Sequence, residues 1–414
     1  MSGRRDLRLF GALVAGYTVS TAGTFLNLVA INLYVFQLTA SALQTGLLMA
    51  ARITAGFLAG PVAGWVVVRF ERRFVMIASD VTQALAMVTL LVTPASRHPD
   101  LLWVVAVALG AGNTFFTVAL RTSVPNLVGS ADRLRGNGYL VTGKSFAMVL
   151  GFASAGPLIG GFGFMPAFGI NAGSFLVSAL VLAWLPLSFR GTDGGADGGV
   201  VSSDEPVGLS MLHRLRLLRM ASPVLVGLLG LRGMEALGGA SHNVALPAFA
   251  QTASPENPAA LLSGFWAAWA MGSMAAYQAV ARWLKRGGRH LDERAFAGAV
   301  CLASLAFVAV FAGLPLPALV MVALVAGLAD GLAELAYVTR LQVGSDDTRG
   351  LLFGMSATAE TLGMAVGMLS SALLLEQMAA LPVVGLFHGV LIAVMVAFLT
   401  LRPARRRLPT AAET

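Results

Sequence analysis

Twelve long apolar stretches, separated by short polar connections, cover most of the chain. An α-helix needs about 20 apolar residues to cross the hydrocarbon core of a bilayer, and each stretch reaches or exceeds that length. The pattern therefore predicts an all-α membrane protein with twelve transmembrane helices. The predicted spans are 9–38, 41–69, 74–94, 100–128, 136–163, 165–188, 222–251, 259–284, 294–313, 316–343, 349–378 and 380–401.

The longest connection, 189–221, divides the spans into two sets of six. Its first part, GTDGGADGGVVSSDEP, has the composition of a flexible linker. Its second part, MLHRLRLLRM (211–220), mixes leucine with arginine, as in a helix that lies on a membrane surface. We expect a six-helix bundle at 1–188, a linker at 189–221, a second bundle at 222–402 and a tail at 403–414.

The two sets of spans show internal repeats. Small residues recur every fourth position in spans two and eight: Gly56, Gly60 and Gly64, then Ala268, Gly272 and Ala276. The segment VGSADRLRG before span five also resembles VGSDDTRG before span eleven. Duplicated bundles are typical of secondary transporters, so we expect two pseudo-symmetric halves.

Composition and charge support a membrane protein. The chain is 57% hydrophobic and only 12% charged, whereas soluble domains have about 25% charged residues. All but four of the 28 Lys and Arg residues fall on every second connection, which predicts both termini in the cytoplasm. The net charge of +8 is therefore assigned to topology and to the lipid surface, and we expect no nucleic-acid partner. The N-terminal apolar run lacks a cleavage site and is interpreted as a retained helix.

Soluble catalytic chemistry has no support in the sequence. There is no phosphate-binding G-x-x-x-x-G-K-[ST] loop, and no Cys/His cluster has metal-ligand spacing. The single cysteine, Cys301, lies in an apolar stretch and excludes an intrachain disulfide. We expect no enzyme activity, no catalytic residue, no cofactor and no metal.

The segment GPVAGWVVVRFERRFVM (60–76) resembles the signature loop between helices two and three of the major facilitator superfamily, G-x3-D-R-x-x-R-R. The matching residues are Gly64, Arg69, Arg72 and Arg73.

GPLIGG (156–161) resembles the antiporter motif of the drug-exporting branches, and matches it at Gly156, Pro157, Gly160 and Gly161. The segments at 39–61, 121–137 and 168–180 resemble the macrolide-efflux and enterobactin-exporter branch. The resemblance implies the major facilitator fold in a bacterial cytoplasmic membrane.

Two positions depart from the family pattern. Val68 stands where the signature has an aspartate, a carboxylate that in the family lies near the start of helix eleven. Asp80 is a candidate for partial replacement of that carboxylate. Phe152 stands where the antiporter motif has a glycine, so we expect the helix kink to be shifted.

Ionisable residues inside the spans are candidates for function, because burying them in a membrane is costly. Arg232, Glu235 and His242 share one face of span seven. Asp330, Glu334 and Tyr337 share one face of span ten, and Glu360 lies in span eleven. Buried carboxyl groups beside a cation suit proton binding and release. The proton-coupling candidates are Glu235, Asp330, Glu334 and Glu360.

The resemblance implies that helices one, four, seven and ten line a central cavity. The substrate-cavity candidates are Tyr17, Thr24, Asn27, Asn113, Arg232, His242 and Tyr337. The gating and motif candidates are Arg52, Gly64, Arg69, Arg72, Arg73, Asp80, Gly156, Pro157, Gly160 and Gly161.

Several of these residues also have structural interpretations. Arg232 and Glu235 could form an ion pair that only holds the helices, and Asp330 and Glu334 could pair with Arg52 or Arg340. His242 could be a hydrogen-bonded packing residue. Asp80 and Glu376 lie near the ends of their spans, and we expect them to be solvated. Lys144 is expected to extend toward the cytoplasm.

The sequence-based hypothesis is a monomeric transporter that exports a hydrophobic or amphipathic small molecule in exchange for protons. One alternative is a siderophore exporter, in which Arg52, Lys144 and Arg232 would bind an anionic cargo. Another is a lysophospholipid flippase with lateral entry from the bilayer. A membrane sensor or scaffold ranks lower, because only the linker and the tail could provide an output domain.

Overall fold

The computed structural model describes residues 2–128, 133–185, 223–286, 291–341 and 346–400. The predicted linker at 189–221 and the predicted tail at 403–414 lie outside these residues. The described residues form twelve α-helices and one short 3₁₀-helix, Ala95–Arg97. The α-helices are α1 (Ser2–Thr39), α2 (Ala42–Arg69), α3 (Arg72–Val92), α4 (His98–Val128), α5 (Arg133–Phe162), α6 (Phe164–Trp184), α7 (Pro223–Ala253), α8 (Pro258–Lys285), α9 (Glu293–Val310), α10 (Leu316–Leu341), α11 (Asp346–Leu375) and α12 (Ala380–Thr400).

Eleven of the twelve described helices are long and apolar enough to span a membrane. The helix outside that set is α7, which has 31 residues but carries Arg232, Glu235 and His242 along its middle. These polar side chains lower its hydropathy without shortening it. The predicted all-α membrane fold is confirmed, and α7 is the helix whose polarity needs a separate explanation.

Two short connections between helices are explained by their local residues, a capping serine and a glycine. Ser41 precedes α2, and its side chain accepts a hydrogen bond from the Gln44 backbone N–H, as helix-capping serines do. A single residue, Gly163, separates α5 from α6 and has φ = 81°. This region of backbone space is open to glycine at little cost, so the chain can reverse there in one residue.

The helices pack in two bundles with the same order of neighbours. In the first, α1 packs on α5 and α6, α2 packs on α4, and α3 packs on α4 and α6. In the second, α7 packs on α11 and α12, α8 packs on α10, and α9 packs on α10 and α12. Each of these five pairings in the first bundle therefore recurs six helices later.

The two bundles meet mainly along two seams, α2 against α11 and α5 against α8. We call the membrane face where α1 begins the terminal face, and the other the opposite face. In the first seam, Gly46 of α2 lies against Met368 and Ala372 of α11, near the opposite face. Toward the terminal face, Gly60 and Gly64 of α2 have open space beside them. The bundles therefore touch near the opposite face and separate toward the terminal face.

Glycines allow the closest helix crossings within the bundles. A Cβ atom added to Gly327 of α10 would lie 1.9 Å from the Trp269 carbonyl oxygen of α8. The reciprocal position, Gly272 of α8, would place a Cβ 2.1 Å from the Leu324 carbonyl oxygen. Small residues promote helix association in membranes by letting backbones approach, and these two glycines fix the α8–α10 crossing.

A Gly327→Ala substitution is expected to destabilise the protein, because the α8 and α10 backbones would have to separate. Overpacking of this kind costs about 1–3 kcal/mol. The matched control is Gly298→Ala on α9, where an added Cβ meets no atom within 4 Å. Thermal unfolding in detergent should show a lower midpoint for Gly327→Ala only. Equal midpoints for the two variants would contradict the assigned crossing.

Candidate functional site

Three carboxylates from three helices surround the guanidinium of Arg232. Arg232 of α7 lies 3.0 Å from Glu235 of the same helix, 2.8 Å from Glu334 of α10 and 3.2 Å from Glu360 of α11. Glu235 lies three residues after Arg232, on the same helix face. The predicted faces of spans seven and ten therefore meet, and Glu360 completes what we call the Arg232 cluster, which consists of Arg232, Glu235, Glu334 and Glu360.

The cluster is buried on one side and open on the other. The side chains of Arg232 and Glu235 are 15% and 14% exposed, whereas those of Glu334 and Glu360 are 37% and 44% exposed. Arg232 also lies over the Tyr337 ring, 5.2 Å from its centroid. The Tyr337 hydroxyl donates a 2.8 Å hydrogen bond to Ser356 of α11. Tyr337 is only 2% exposed, so the prediction that it lines the cavity is wrong: it packs against the buried side of Arg232, while Glu334 and Glu360 are exposed toward the space between the bundles.

The cluster has more acidic than basic groups. Asp330 lies one turn before Glu334 on α10, is half-buried, and forms no ion pair within the described residues. If all four carboxyl groups were ionised, Arg232 would balance only one of them. Neighbouring carboxylates repel each other in a low-dielectric environment, so the site has an excess of acidic groups that one arginine does not balance. The sequence also allowed an interpretation in which Asp330 and Glu334 pair with Arg52 or Arg340. This interpretation is wrong for Glu334, whose ion-pair partner is Arg232.

Basic residues lie on the first bundle, facing this acidic surface. Lys144 of α5 is exposed and lies within electrostatic range of Glu334 and Glu360 of the second bundle. Arg121 of α4 lies near both Lys144 and Tyr17. The cavity therefore has one basic and one acidic wall.

A side pocket of about 690 Å³ opens between α2, α4 and α11. It contains Arg52 and Asn113 from the first bundle and Thr358 and Thr361 from the second. Asn113, a predicted cavity residue, is therefore in this side pocket. We call it the Arg52 pocket.

The remaining cavity candidates of α1 lie at different depths. Tyr17 is half-buried and stacks on Phe116 at 6.2 Å between ring centroids. Thr24 donates to the Ser20 carbonyl. Asn27 is fully buried, and its side-chain amide has no hydrogen-bond partner within the described residues. The structure thus buries Asn27 among packed helices, and the prediction that it lines the cavity is wrong.

The prediction that His242 lines the cavity is wrong. His242 is buried inside the second bundle, where its Nδ1 lies 3.1 Å from Nε2 of His388 on α12. Its ring stacks on Phe307 of α9 at 3.8 Å between centroids. The packing alternative describes this residue correctly, because the face of α7 that carries His242 is covered by α12 and α9 at that depth.

Two of the basic signature residues, Arg72 and Arg73, bind carbonyl groups near the C-terminal ends of neighbouring helices, whereas Arg69 packs within α2. Arg69 lies over the Trp65 ring at 4.4 Å. Arg72 donates to the Thr122 carbonyl of α4, and Arg73 donates to the Ala183 carbonyl of α6. Val68 is 73% exposed. Because valine is uncharged, no charge occupies the position of the signature carboxylate.

Asp80 is not solvated, contrary to expectation. It is buried in α3, with Ser178 of α6 as a hydrogen-bond partner, and one carboxylate oxygen has no partner within the described residues. This location is inside the first bundle, away from the α2–α11 seam. Asp80 therefore has the wrong location to replace the missing signature carboxylate.

The antiporter-like motif lies at the α5–α8 seam. Gly156 packs against Ser263 and Ala260 of α8, and Gly160 packs against Asn257. Gly161 has open space, and Pro157 lines a groove between α1, α5 and α6.

Phe152 fills the place where the motif would have a glycine. It is buried, stacks on Trp266 of α8 at 5.5 Å, and its carbonyl accepts a 2.7 Å hydrogen bond from Ser263. The seam is therefore closed by an aromatic side chain at this depth, where a glycine would have left space.

Glu376 links the bundles at the opposite face, a role that sequence reasoning missed. Its Oε1 accepts hydrogen bonds from the Ser41 hydroxyl at 2.8 Å and from the Leu43 backbone N–H at 2.9 Å. Glu376 follows α11, so a carboxylate of the second half caps the start of α2 in the first. The backbone donor at Leu43 and the Ser41 hydroxyl lower the pKa of Glu376 below its ordinary value. We call this contact the Glu376 cap.

Comparison with known proteins agrees with this architecture. Residues 13–345 match the family model of the Major Facilitator Superfamily. The uncharacterized MFS-type transporter YfiS of Bacillus subtilis (strain 168) is 30% identical over 182 residues, which cover 42% of this chain and 41% of that protein. The chain thus matches about two fifths of the length of that relative.

Solved structures share the fold at low sequence identity. The crystal structure of the nucleoside transporter NupG has a TM-score of 0.75 at 14% identity, over 95% of this chain and 98% of NupG. A bacterial homologue of the human lysosomal transporter Spinster, crystallised in an inward-facing conformation, has a TM-score of 0.66 at 14% identity, over 97% and 99%. A POT family peptide transporter has a TM-score of 0.69 at 12% identity, over 97% and 99%.

Two six-helix bundles, in which eleven of the described helices are long and apolar enough to cross a membrane, define a multi-pass membrane protein. The chain belongs to the major facilitator superfamily.

Removing Glu376 is expected to loosen the opposite face. Glu376→Ala eliminates the acceptor for Ser41 and Leu43, whereas Gln377→Ala, at the next exposed position, serves as the control. Spin labels at Ala95 and Ala312, in a Cys301→Ser background, should show a larger long-distance population for Glu376→Ala only. Identical distance distributions for the two variants would show that the cap has no such role.

The pH dependence of the cap follows from the lowered pKa of Glu376. The cap stabilises this conformation fully above the ordinary glutamate pKa of about 4.3, and its contribution is lost as pH falls through the lowered value. The same labels should therefore report no loosening between pH 7 and pH 5. If the distance between the labels increased between pH 7 and pH 5 in the wild type but not in Glu376→Ala, the assignment of a lowered pKa to Glu376 would be contradicted.

Arg232→Gln is expected to destabilise the second bundle, because Glu235, Glu334 and Glu360 would lose their shared cation. Removing one partner of a buried ion pair costs about 3–5 kcal/mol, and the open side of this cluster places it near the lower end. The double variant Arg232→Gln/Glu235→Gln should recover part of the loss. Thermal unfolding in detergent measures both, and a double variant no more stable than Arg232→Gln would contradict the assigned pairing.

Proposed function

We propose that the protein is a secondary active exporter that moves an amphipathic small molecule in exchange for protons. The observation that supports this most is the Arg232 cluster, in which carboxylates outnumber the one cation beside the cavity. Glu334 and Glu360 reach the cavity, while Glu235 lies deeper against the same arginine. A proton bound at one carboxylate can thus change the balance of charge that a cargo experiences.

Alternating access supplies the conformational step. The α2–α11 and α5–α8 seams contain small residues, among them Gly46, Gly156 and Gly160, which let the bundles contact closely and separate. The bundles touch near the opposite face in this structure. With both termini in the cytoplasm, as the charge pattern predicts, the cavity faces inward and can accept cargo from the cell interior.

Charge exchange across the cavity couples the two movements. When the terminal face closes, Lys144 approaches Glu334 and Glu360, with which it already interacts. Ionised carboxylates favour that approach, and a proton bound at one of them weakens it. A proton taken up at the opposite face and released at the terminal face would therefore return the carrier to the conformation seen here.

The antiporter-like motif at the α5–α8 seam supports export over uptake. The resemblance to the macrolide-efflux and enterobactin-exporter branch supports a drug-like molecule or a secondary metabolite as cargo. We place the protein in a bacterial cytoplasmic membrane as a monomer, with both termini in the cytoplasm. No cofactor enters this proposal.

A second candidate is an exporter of anionic molecules such as siderophores. The observation in its favour is the basic wall of the first bundle, formed by Arg121 and Lys144. A substrate panel with a macrolide, a catecholate and a lysolipid in proteoliposomes separates this candidate from the first and from a lipid flippase.

The coupling experiment uses proteoliposomes with an imposed pH gradient. Glu235→Gln and Glu334→Gln are expected to reduce gradient-driven transport at least tenfold, because each removes a site for the proton. Glu256→Gln, in the exposed connection between α7 and α8, makes the same chemical change outside the membrane and should retain transport. Full coupling in both cluster variants would remove the cluster from the proton pathway.

A further inference from the structure

Arg52 of α2 is a cation without a counter-ion. Its Nη1 atom is fully buried and has no hydrogen-bond partner, and Arg52 takes part in none of the ion pairs between described residues. It lies ten positions after the first residue of α2, which places it about 15 Å along the helix axis, inside the hydrocarbon layer. An unpaired charge at this depth costs several kcal/mol, so we expect it to have a partner in the working protein.

Two other cations near the middle of membrane-spanning helices, Arg232 and Lys144, have acidic neighbours. Arg232 pairs with Glu235, Glu334 and Glu360, and Lys144 interacts with two of the same carboxylates. In the described part of the chain, Arg52 is the one of the three that lacks such a neighbour. Its partner must then come from outside these residues.

The Arg52 pocket provides space for that partner. Its volume of about 690 Å³ lies within the range of small-molecule sites, about 300–1,000 Å³. Asn113 of α4 and Thr361 of α11 add polar side chains to the lining. A guanidinium, an amide and a hydroxyl can together donate several hydrogen bonds to a carboxylate or phosphate.

The rest of the pocket is apolar and reaches the outer surface of the helices. Ile53, Phe57 and Leu109 line it, and Phe57 is exposed on the same helix turn as the more exposed Leu58. The adjacent part of the α2–α11 seam is open beside Gly60. An apolar tail could therefore extend from the pocket between α2 and α11 toward the bilayer.

We propose that the Arg52 pocket binds the anionic head of an amphiphile, a carboxylate or phosphate joined to an apolar tail. Arg52 supplies the charge, Asn113 and Thr361 supply hydrogen bonds, and the tail lies between α2 and α11. Such a ligand wedges the two bundles apart at the terminal face and favours the conformation seen here. The site is distinct from the Arg232 cluster, so its existence does not depend on proton coupling.

The test compares ligands with matched tails on the purified full chain in an uncharged detergent. Oleate is expected to bind and raise the unfolding midpoint, whereas oleyl alcohol and oleylamine, which lack the negative charge, should bind at least tenfold more weakly. Arg52→Gln should weaken oleate binding at least tenfold. Arg97→Gln, which removes an exposed arginine in the connection between α3 and α4, should leave it unchanged.

Two further variants keep the test decisive if Arg52→Gln does not fold. Arg52→Lys retains the charge and should retain most oleate binding. Asn113→Leu retains Arg52 and should weaken oleate binding through the lost amide. Equal binding of oleate and oleyl alcohol, or unchanged oleate affinity in Asn113→Leu and in any folded Arg52→Gln protein, overturns the proposal.

A final arm identifies the source of the anion. The unfolding midpoint is compared between phosphatidylglycerol and phosphatidylcholine nanodiscs. If phosphatidylglycerol raises the midpoint of the wild type but not that of Arg52→Gln, the occupant is a bilayer lipid. If oleate binds but phosphatidylglycerol gives no such protection, the occupant is a single-chain amphiphile such as a cargo. Failure of the coupling experiment would leave both results intact, so the two proposals can fail separately.

Discussion

The cost of charge inside a membrane governs how this chain is organised. The guanidinium of Arg232 is tolerated because Glu235, Glu334 and Glu360 surround it from three helices. Those contacts connect α7, α10 and α11, and Tyr337 adds a ring behind the cation. The charge network therefore holds α7, which carries both Arg232 and Glu235, against α10 and α11.

The free-energy cost of burying charge in a membrane also explains why charged groups inside the helices are candidates for function. Apolar packing alone would satisfy the geometry of two six-helix bundles, as the repeated order of neighbours shows. Charges add nothing to that packing unless they are paired, so the excess carboxylates on one wall and the basic groups on the other are informative. Arg52 is the extreme case, since no described residue neutralises it.

The fold could be predicted from the sequence because each span is long and apolar and each connection is short. The pairing of Arg232 with Glu235 was also accessible, because i and i+3 residues share a helix face. Glu360 and Ser356 could be placed in α11 but not against Arg232 and Tyr337, since the rotation of α11 depends on packing between helices. His242 and Asp80 were misplaced for the same reason: a polar side chain on a span does not reveal which neighbour covers it. The Glu376 cap joins residues more than 300 positions apart, and no local pattern reports such a contact.

That cap has a consequence for the resting balance of the carrier. It can form only while the start of α2 and the end of α11 are adjacent, so its free energy belongs to one of the two alternating conformations. An exposed helix cap contributes roughly 0.5–1 kcal/mol, which corresponds to about a two- to fivefold change in relative populations. In the proposed transport cycle, this one surface glutamate would set how often the protein leaves the conformation seen here, and its replacement would change turnover without altering the binding site.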